Sequence, residues 1–257
     1  MPTVNGLRLP DFLIIGAGRS GTTSFAKYLA AHPQVYLPSK LRPEPHFFLK
    51  QAEYEKGLAY YSRTYFDGVP DDVMAGEKSV SYLFQPYCLP RIHEHLPWAK
   101  LIVMLRNPID RAYSSYHFTC KNGLETIGFS EAIRTEAARV AAPASPEEAE
   151  IQPFAYIGRS RYAEQLRRCL AIFPAEQVHV ALLEDFQADP EGTYRRVLEF
   201  LGVDTGFIPP TLGVTYNVTN YAGATMPEED RAYLRAQLAD DVRDLEGLLG
   251  RDLGFWT

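Results

Sequence analysis

Residues 11–31 read DFLIIGAGRSGTTSFAKYLAA, and this stretch decides the fold. The short apolar run at 11–15 predicts a buried strand. Residues 22–31 predict a helix, because Phe25 and Leu29 are four positions apart. The glycine-rich residues between them predict a tight turn. Backbone N–H groups of such a turn converge with the positive end of the helix that follows, which favours an anion. We therefore expect a phosphate-binding turn here.

Other apolar runs and amphipathic segments alternate along the rest of the chain. This order is typical of an α/β fold, so we expect a P-loop-like parallel sheet flanked by helices on both faces. Without a repeat or a clear boundary, residues 1–257 are expected to form a single domain. Strands are predicted at 34–37, 100–105 and 178–183, helices at 109–118, 191–201 and 231–249, a surface helix or mobile insertion at 137–150, and a long loop at 209–227.

Composition excludes several classes of function. A net charge of −6 argues against general nucleic-acid binding, for which a basic protein is usual. The sequence has no run of about 18 apolar residues, so no membrane span is expected. Three scattered cysteines (Cys88, Cys120 and Cys169) and no zinc-type Cys/His spacing predict no metal site and fit a reducing compartment. The N-terminal residues do not resemble a signal peptide, and a cytoplasmic location is expected.

The glycine-rich turn fits three kinds of nucleotide site. Gly16, Gly18 and Gly21 match a dinucleotide fingerprint, but the acidic residue required after the second strand is missing. A nucleoside triphosphate site needs a lysine where this chain has Thr22. A phosphosulfate donor carries less charge and needs no metal, and Arg19 is placed to stabilise its bridging oxygen. A purely structural turn that packs the helix on the strand is the remaining alternative.

Further motifs follow the turn in a specific order. They are EPHFF at 44–48, GEKSVSYL at 76–83, LRNPIDRAYSSY at 105–116, and the stretches at 162–186 and 251–256. Together with residues 12–38, they resemble the superfamily of sulfotransferases that use 3′-phosphoadenosine 5′-phosphosulfate (PAPS). The branch is the one that contains heparan sulfate sulfotransferases and many bacterial homologues. The resemblance covers nearly the whole chain, and its order and spacing are more specific than any one motif.

The resemblance implies how PAPS would be held. Backbone amides of residues 20–23 would bind the 5′-phosphate, and Arg106 and Ser114 would bind the 3′-phosphate. Arg106 also stands at the carboxyl end of a predicted strand, where ligands bind in open α/β sheets. The family's late Gly-Arg/Lys loop is not obvious here, and residues 221–223 are the nearest substitutes. The expected cofactor-binding residues are Gly18, Arg19, Ser20, Gly21, Thr22, Thr23, Arg106, Ser114, Tyr221 and Gly223.

The same resemblance suggests the catalytic groups. Glu44 is the expected general base, because an in-line attack needs a proton acceptor near the acceptor hydroxyl. His46 and His117 are rival bases. Lys78 is expected to contact the sulfuryl group or the acceptor, although a structural pairing with the neighbouring Glu77 is the alternative.

The loop differs from the family at one important position. Arg19 stands where the family usually has lysine, and it is expected to offset charge on the leaving phosphate. Arginine can donate hydrogen bonds there, but it stays charged and cannot deliver a proton.

The resulting hypothesis is a direct in-line transfer of a sulfuryl group, without a covalent enzyme intermediate. PAPS would be the co-substrate, and the partner a small-molecule or saccharide acceptor whose hydroxyl or amine is sulfated. The loops at 40–48, 79–86 and 117–124 are expected to line the acceptor cleft. A P-loop phosphotransferase and a non-catalytic nucleotide-binding module are the alternatives. The presence together of Glu44, Arg19, Arg106 and Ser114 argues against the module.

Overall fold

The computed structural model describes residues 6–38, 43–216 and 225–256. These residues divide into two compact units. The first contains the described residues of Met1–Leu105 and Cys169–Asn217, and the second contains those of Arg106–Arg168 and Val218–Thr257.

The first unit is built on a five-stranded parallel sheet with the order β2-β3-β1-β4-β5. Its strands are β1 Phe12–Gly16, β2 Val35–Tyr36, β3 Met74–Lys78, β4 Lys100–Leu105 and β5 Val178–Leu182. All residues of β1 and β3 are buried, as expected for a parallel sheet covered on both faces. The predicted α/β fold, a parallel sheet flanked by helices, is confirmed. β1 is central, with β3 and β4 as its neighbours, so the turn that follows β1 lies where such sheets bind ligands.

The helices follow in chain order. They are α1 Thr22–Ala30, α2 Gln51–Tyr54, α3 Gly57–Tyr65, α4 Cys88–His95, α5 Pro108–Lys121, α6 Phe129–Ala141, α7 Pro146–Ile151, α8 Tyr162–Leu170, α9 Leu183–Ala188, α10 Pro190–Leu201 and α11 Glu228–Leu249. Short 3-10 turns occupy Gly158–Ser160, Ala175–Gln177 and Gly254–Trp256.

Each unit has its own apolar core. In the first unit, side chains of α1 and α10 pack with the face of the sheet that carries alternate residues of β1 and β4. This core contains Phe12, Ile14, Phe25, Tyr28, Leu29, Ile102, Met104, Tyr194, Val197 and Leu198. In the second unit, α5, α6 and α11 share a core of Ile109, Ala112, Tyr113, Phe129, Ala132, Ile133, Tyr156, Ile157, Leu234 and Leu238.

Most predicted elements are present with small shifts at their ends. The last helix begins at Glu228 rather than residue 231, because Glu228, Glu229 and Asp230 place negative charge at its positive end. The segment at 137–150 is helical over most of its length, in the end of α6 and in α7. The described parts of 209–227 contain neither helix nor strand before Glu228, as a loop requires.

Strand β3 is the main element that the pattern does not predict. Its sequence MAGEK has no apolar alternation, yet all five residues are buried. Gly76 pairs with Phe12 across the sheet, and a Cβ on Gly76 would lie 2.1 Å from Phe12 Cζ. The ring of Phe12 therefore covers the glycine, and only glycine leaves it room.

Gly76→Ala is expected to lower the free energy of unfolding by about 3 kcal/mol, because the Phe12 ring must move within a packed core. Gly247→Ala is the matched control: its Cβ would meet nothing within 4 Å in the last turn of α11. That change should raise stability by about 0.5–1 kcal/mol. Denaturant unfolding measures both, and equal stabilities of the two variants would contradict the role of the glycine.

Candidate functional site

The glycine-rich turn between β1 and α1 is held by one backbone hydrogen bond to β4 and one within the turn. The Ala17 N–H donates to the Met104 carbonyl at 2.7 Å, and the Ser20 N–H donates to the Ala17 carbonyl at 3.3 Å. Arg19 has a φ of 73° and Gly21 a φ of 80°. A non-glycine residue in this region is strained, and such strain concentrates at functional sites.

The N-terminus of α1 offers its backbone donors without a protein cap. Its N-cap, Gly21, has no side chain to accept a hydrogen bond, and its first turn contains no acidic residue. By contrast, Asn107 and Asp189 cap α5 and α10 with their side chains. The positive end of α1 therefore suits an external anion.

Ser20 supports the same conclusion from inside the turn. Its residue is fully buried, and its Oγ has no hydrogen-bond partner in residues 6–38, 43–216 and 225–256. A buried hydroxyl without a partner is costly. A phosphate or sulfate oxygen would satisfy it, so the turn fits an anion of this kind.

Lys78 ends β3 beside this turn. It pairs with Ile14 of β1, two residues before Gly16, and only 2% of its surface is exposed. Its ammonium donates to one carboxylate oxygen of Glu44. The alternative pairing of Lys78 with Glu77 is wrong.

The other oxygen of Glu44 completes a small cluster. It accepts the Val80 N–H at 2.9 Å and lies 3.1 Å from His46 Nε2. The structure thus brings together three predicted catalytic residues, Glu44, His46 and Lys78, although Glu44 is separated from Lys78 by 34 positions.

The cluster controls the protonation of Glu44. Burial by itself raises the pKa of this carboxyl, but the hydrogen bond from His46 and the charge of Lys78 together outweigh it. The pKa falls to about 2. At neutral pH, Glu44 is therefore a carboxylate that only accepts hydrogen bonds.

A buried hydrogen-bond network holds the backbone of His46. The fully buried Glu77 accepts hydrogen bonds from the Tyr61 hydroxyl and from Ser79 Oγ, the latter at 2.5 Å. Ser79 Oγ in turn accepts the backbone N–H of His46 at 3.0 Å. Burial raises the pKa of Glu77 despite these two donors.

Sequence reasoning did not find these supporting roles. Ser79 lay in a segment expected to line the acceptor cleft, and its place after Glu77 and Lys78 was the available signal. Nothing in the sequence around Tyr61 indicates that its hydroxyl meets Glu77.

The residues expected at the 3′-phosphate belong to the second unit. Arg106 directly follows the last residue of β4 and is half-buried. Ser114 lies two turns into α5 and is 2% exposed. His117, the third candidate base, packs edge-on against Tyr113 at 4.4 Å between ring centres, and burial lowers its pKa.

Two expected contact residues, Tyr221 and Gly223, lie outside the described residues. In the described part of the chain, no three His, Cys, Asp or Glu side chains are grouped to hold a metal ion. The same residues contain no helix that is both long and apolar enough to span a membrane. The three cysteines are free thiols.

A central strand that leads through a glycine-rich anion turn into an uncapped helix defines a P-loop-like α/β protein. Comparison with known proteins then narrows the class. The family model for the sulfotransferase domain matches residues 9–211. The chain belongs to the sulfotransferase family.

Similar curated proteins include human heparan sulfate glucosamine 3-O-sulfotransferase 6, which is 33% identical over 76% of this chain and 53% of its own length. The membrane-associated sulfotransferase kil1 of Dictyostelium discoideum is 25% identical over 96% of this chain and 66% of its own length. The chain therefore spans about half to two thirds of the length of these relatives.

Among solved structures, the sulfotransferase from Alicyclobacillus acidocaldarius is 35% identical, covers 97% of this chain and 99% of its own, and has a TM-score of 0.82. Mouse sulfotransferase SULT7A1, complexed with PAP, is 14% identical over 90% of this chain and 63% of its own, with a TM-score of 0.51. The second likeness concerns the fold alone.

Glu44→Gln is expected to lower the free energy of unfolding at pH 7 by about 3 kcal/mol, because it leaves the buried ammonium of Lys78 without a counter-charge. The pKa of Glu44 is lowered from 4.5 to about 2, so its contribution is complete above pH 4.5 and is lost as the pH falls through 2. At pH 3, the difference between the two proteins should be smaller by about 2 kcal/mol.

Denaturant unfolding at pH 7 and pH 3 measures this difference. Glu53→Gln, in the exposed pair with Lys56, is the control and should cost less than about 1 kcal/mol at pH 7. A difference between wild type and Glu44→Gln that is the same at both pH values would show that Glu44 is not held ionised by the cluster.

Proposed function

We propose that this chain is an enzyme that transfers the sulfuryl group of PAPS to a hydroxyl or amine of a carbohydrate or natural-product acceptor. The observation that carries the proposal is the Lys78–Glu44 ion pair beside the anion turn of β1. It combines a cation for the transferred group with a carboxylate for the acceptor proton.

The donor is assigned to two groups of residues. Residues 18–23 would bind the 5′-phosphosulfate, supported by the uncapped end of α1 and the buried Ser20 hydroxyl. Arg106 and Ser114 would bind the 3′-phosphate, as the family resemblance implies. PAPS supplies an activated sulfuryl group, so the protein's task is to position it and to offset its charge.

Glu44 is the proposed general base, and His46 its hydrogen-bond partner. A carboxylate with a pKa of about 2 is a weak proton acceptor while Lys78 faces it. When Lys78 turns toward sulfuryl oxygens, Glu44 loses part of its charge stabilisation. Its pKa then rises, and it becomes a stronger base at the moment the acceptor proton must leave.

Arg19 is assigned to the bridging oxygen of the leaving phosphate. Its backbone is held at a φ of 73° inside the turn, which fixes where the side chain starts. The guanidinium offsets negative charge there and keeps its own proton.

The remaining assignments complete the proposal. We also propose that residues 1–257 form one sulfotransferase domain, that the protein acts in the cytoplasm, and that it uses no metal. The acceptor would meet the segments at 40–48, 79–86 and 117–124, although residues 117–121 belong to helix α5 rather than to a loop. Residues 43–48 and 79–86 are adjacent through the hydrogen bond that the Val80 N–H donates to Glu44.

Adenosine 3′,5′-bisphosphate, the expected product, should bind with micromolar affinity in isothermal titration calorimetry. Binding should fall below detection in Arg106→Ala, because a charge-assisted phosphate contact is lost. Arg167→Ala, which removes an exposed pair with Asp244, is the matched control and should bind as wild type does. ATP with magnesium and NAD should not bind. Binding of either, with none of the bisphosphate, would refute the proposed donor and favour the phosphotransferase alternative.

Turnover should separate binding from chemistry. With ³⁵S-labelled PAPS and a panel of saccharide and phenolic acceptors, Arg19→Ala is expected to reduce transfer by about a hundredfold. Glu44→Gln should reduce it by about a hundredfold or more while the bisphosphate still binds. Glu53→Gln is the control. Transfer by Glu44→Gln at the wild-type rate would assign the base to another residue.

A further inference from the structure

Two hydrogen bonds within the second unit hold the Arg106–Asn107 segment. The Tyr162 hydroxyl donates to the Arg106 carbonyl at 3.0 Å, and Tyr162 is fully buried. The Asn107 Nδ2 donates to the Trp256 carbonyl at 3.1 Å. Two consecutive residues are thus tied to segments that are distant in the sequence.

Asn107 has its other side-chain atom engaged as well. Its Oδ1 accepts the N–H groups of Ile109 at 3.0 Å and Asp110 at 3.3 Å, which caps α5. Because the amide is planar, these two bonds direct Nδ2 away from the helix. The bond to Trp256 therefore fixes the orientation of the whole cap.

Trp256 is itself held firmly. It is 2% exposed, and its backbone N–H donates to the Leu253 carbonyl at 2.8 Å. The N–H of Leu253 donates to Glu246 of α11 at 2.8 Å. The indole packs edge-on against the Tyr162 ring, with 6.2 Å between ring centres. Tyr162 and Trp256 thus form one buried aromatic pair that contacts both residues of the Arg106–Asn107 segment.

We propose that Tyr162 and Trp256 are positioning residues that fix the Arg106–Asn107 backbone, so that the Arg106 guanidinium is presented to the 3′-phosphate. This proposal rests on the proposed function. A guanidinium on a long side chain loses much conformational freedom when it binds. A backbone that is already fixed leaves only the side chain to order, so the pair increases affinity for the 3′-phosphate in particular.

Calorimetry with two ligands isolates this effect. Adenosine 3′,5′-bisphosphate contains the 3′-phosphate, whereas AMP lacks it and keeps the 5′-phosphate. Tyr162→Phe removes the hydroxyl and leaves the ring, and Asn107→Ser keeps a capping oxygen but removes the donor to Trp256. Each variant should lower the affinity for the bisphosphate by about five- to tenfold, the value of one hydrogen bond, and the affinity for AMP by less than about twofold.

Tyr194→Phe is the matched control. Tyr194 is equally buried, and its hydroxyl also donates to a backbone carbonyl, that of Tyr28 at 3.2 Å. It should lower the melting temperature by a similar amount and leave the ratio of the two affinities unchanged.

Wild-type affinity of Tyr162→Phe and Asn107→Ser for the bisphosphate would overturn the positioning role. Equal losses for the bisphosphate and AMP would also overturn it, because the pair would then support only the fold. A wild-type protein that does not distinguish the bisphosphate from AMP would refute the assignment of Arg106 and, with it, the proposed donor site.

Discussion

The buried ammonium of Lys78 depends on one carboxylate. The Lys78 side chain is 1% exposed, and a charge at that depth is stable only when it is paired and hydrogen-bonded. Glu44 meets this need from a segment that follows β2, so the chain must return from the sheet edge to the end of β3. The hydrogen bond that the Val80 N–H donates to Glu44 and the one that the His46 N–H donates to Ser79 Oγ stabilise this return. The Lys78–Glu44 pair therefore both forms the candidate site and fixes the local fold.

The same pairing sets the chemistry of the resting site. Lys78 and His46 keep Glu44 ionised, with a pKa of about 2, so the carboxylate is only weakly basic. In the proposed reaction, Lys78 is shared between Glu44 and the sulfuryl group. As Lys78 is drawn to the charge that develops on that group, the pKa of Glu44 rises and Glu44 becomes a stronger base. Without Lys78 beside it, Glu44 would have a higher pKa and would be a stronger base at rest.

The sequence predicted the parts of this structure that depend on neighbouring residues and missed those that depend on distant contacts. β1, its turn and α1 are contiguous, and the α/β fold follows from their alternating pattern. The pattern does not predict β3, because its suitability as a buried strand depends on distant residues. Its glycine leaves room for the Phe12 ring, and its buried Glu77 and Lys78 form hydrogen bonds with Tyr61 and Glu44. Glu44 and Lys78 were identified only through the motifs that resemble a family. The network of Tyr61, Glu77 and Ser79 depends on contacts between residues as far as 16 positions apart, which periodicity does not encode.

The identity of residue 19 determines whether the leaving phosphate can be protonated in the proposed reaction. An arginine side chain stays charged in proteins, so in the proposed reaction Arg19 stabilises the leaving phosphate but cannot protonate it. Lys78 is already engaged with Glu44, and a proton taken from Lys78 would remove the charge for which the lysine is needed. In the proposed reaction, the acceptor proton goes to the Glu44 carboxylate, which also contacts His46. The leaving group departs as an anion, and substitution of Glu44 removes the proton acceptor without removing any donor of positive charge.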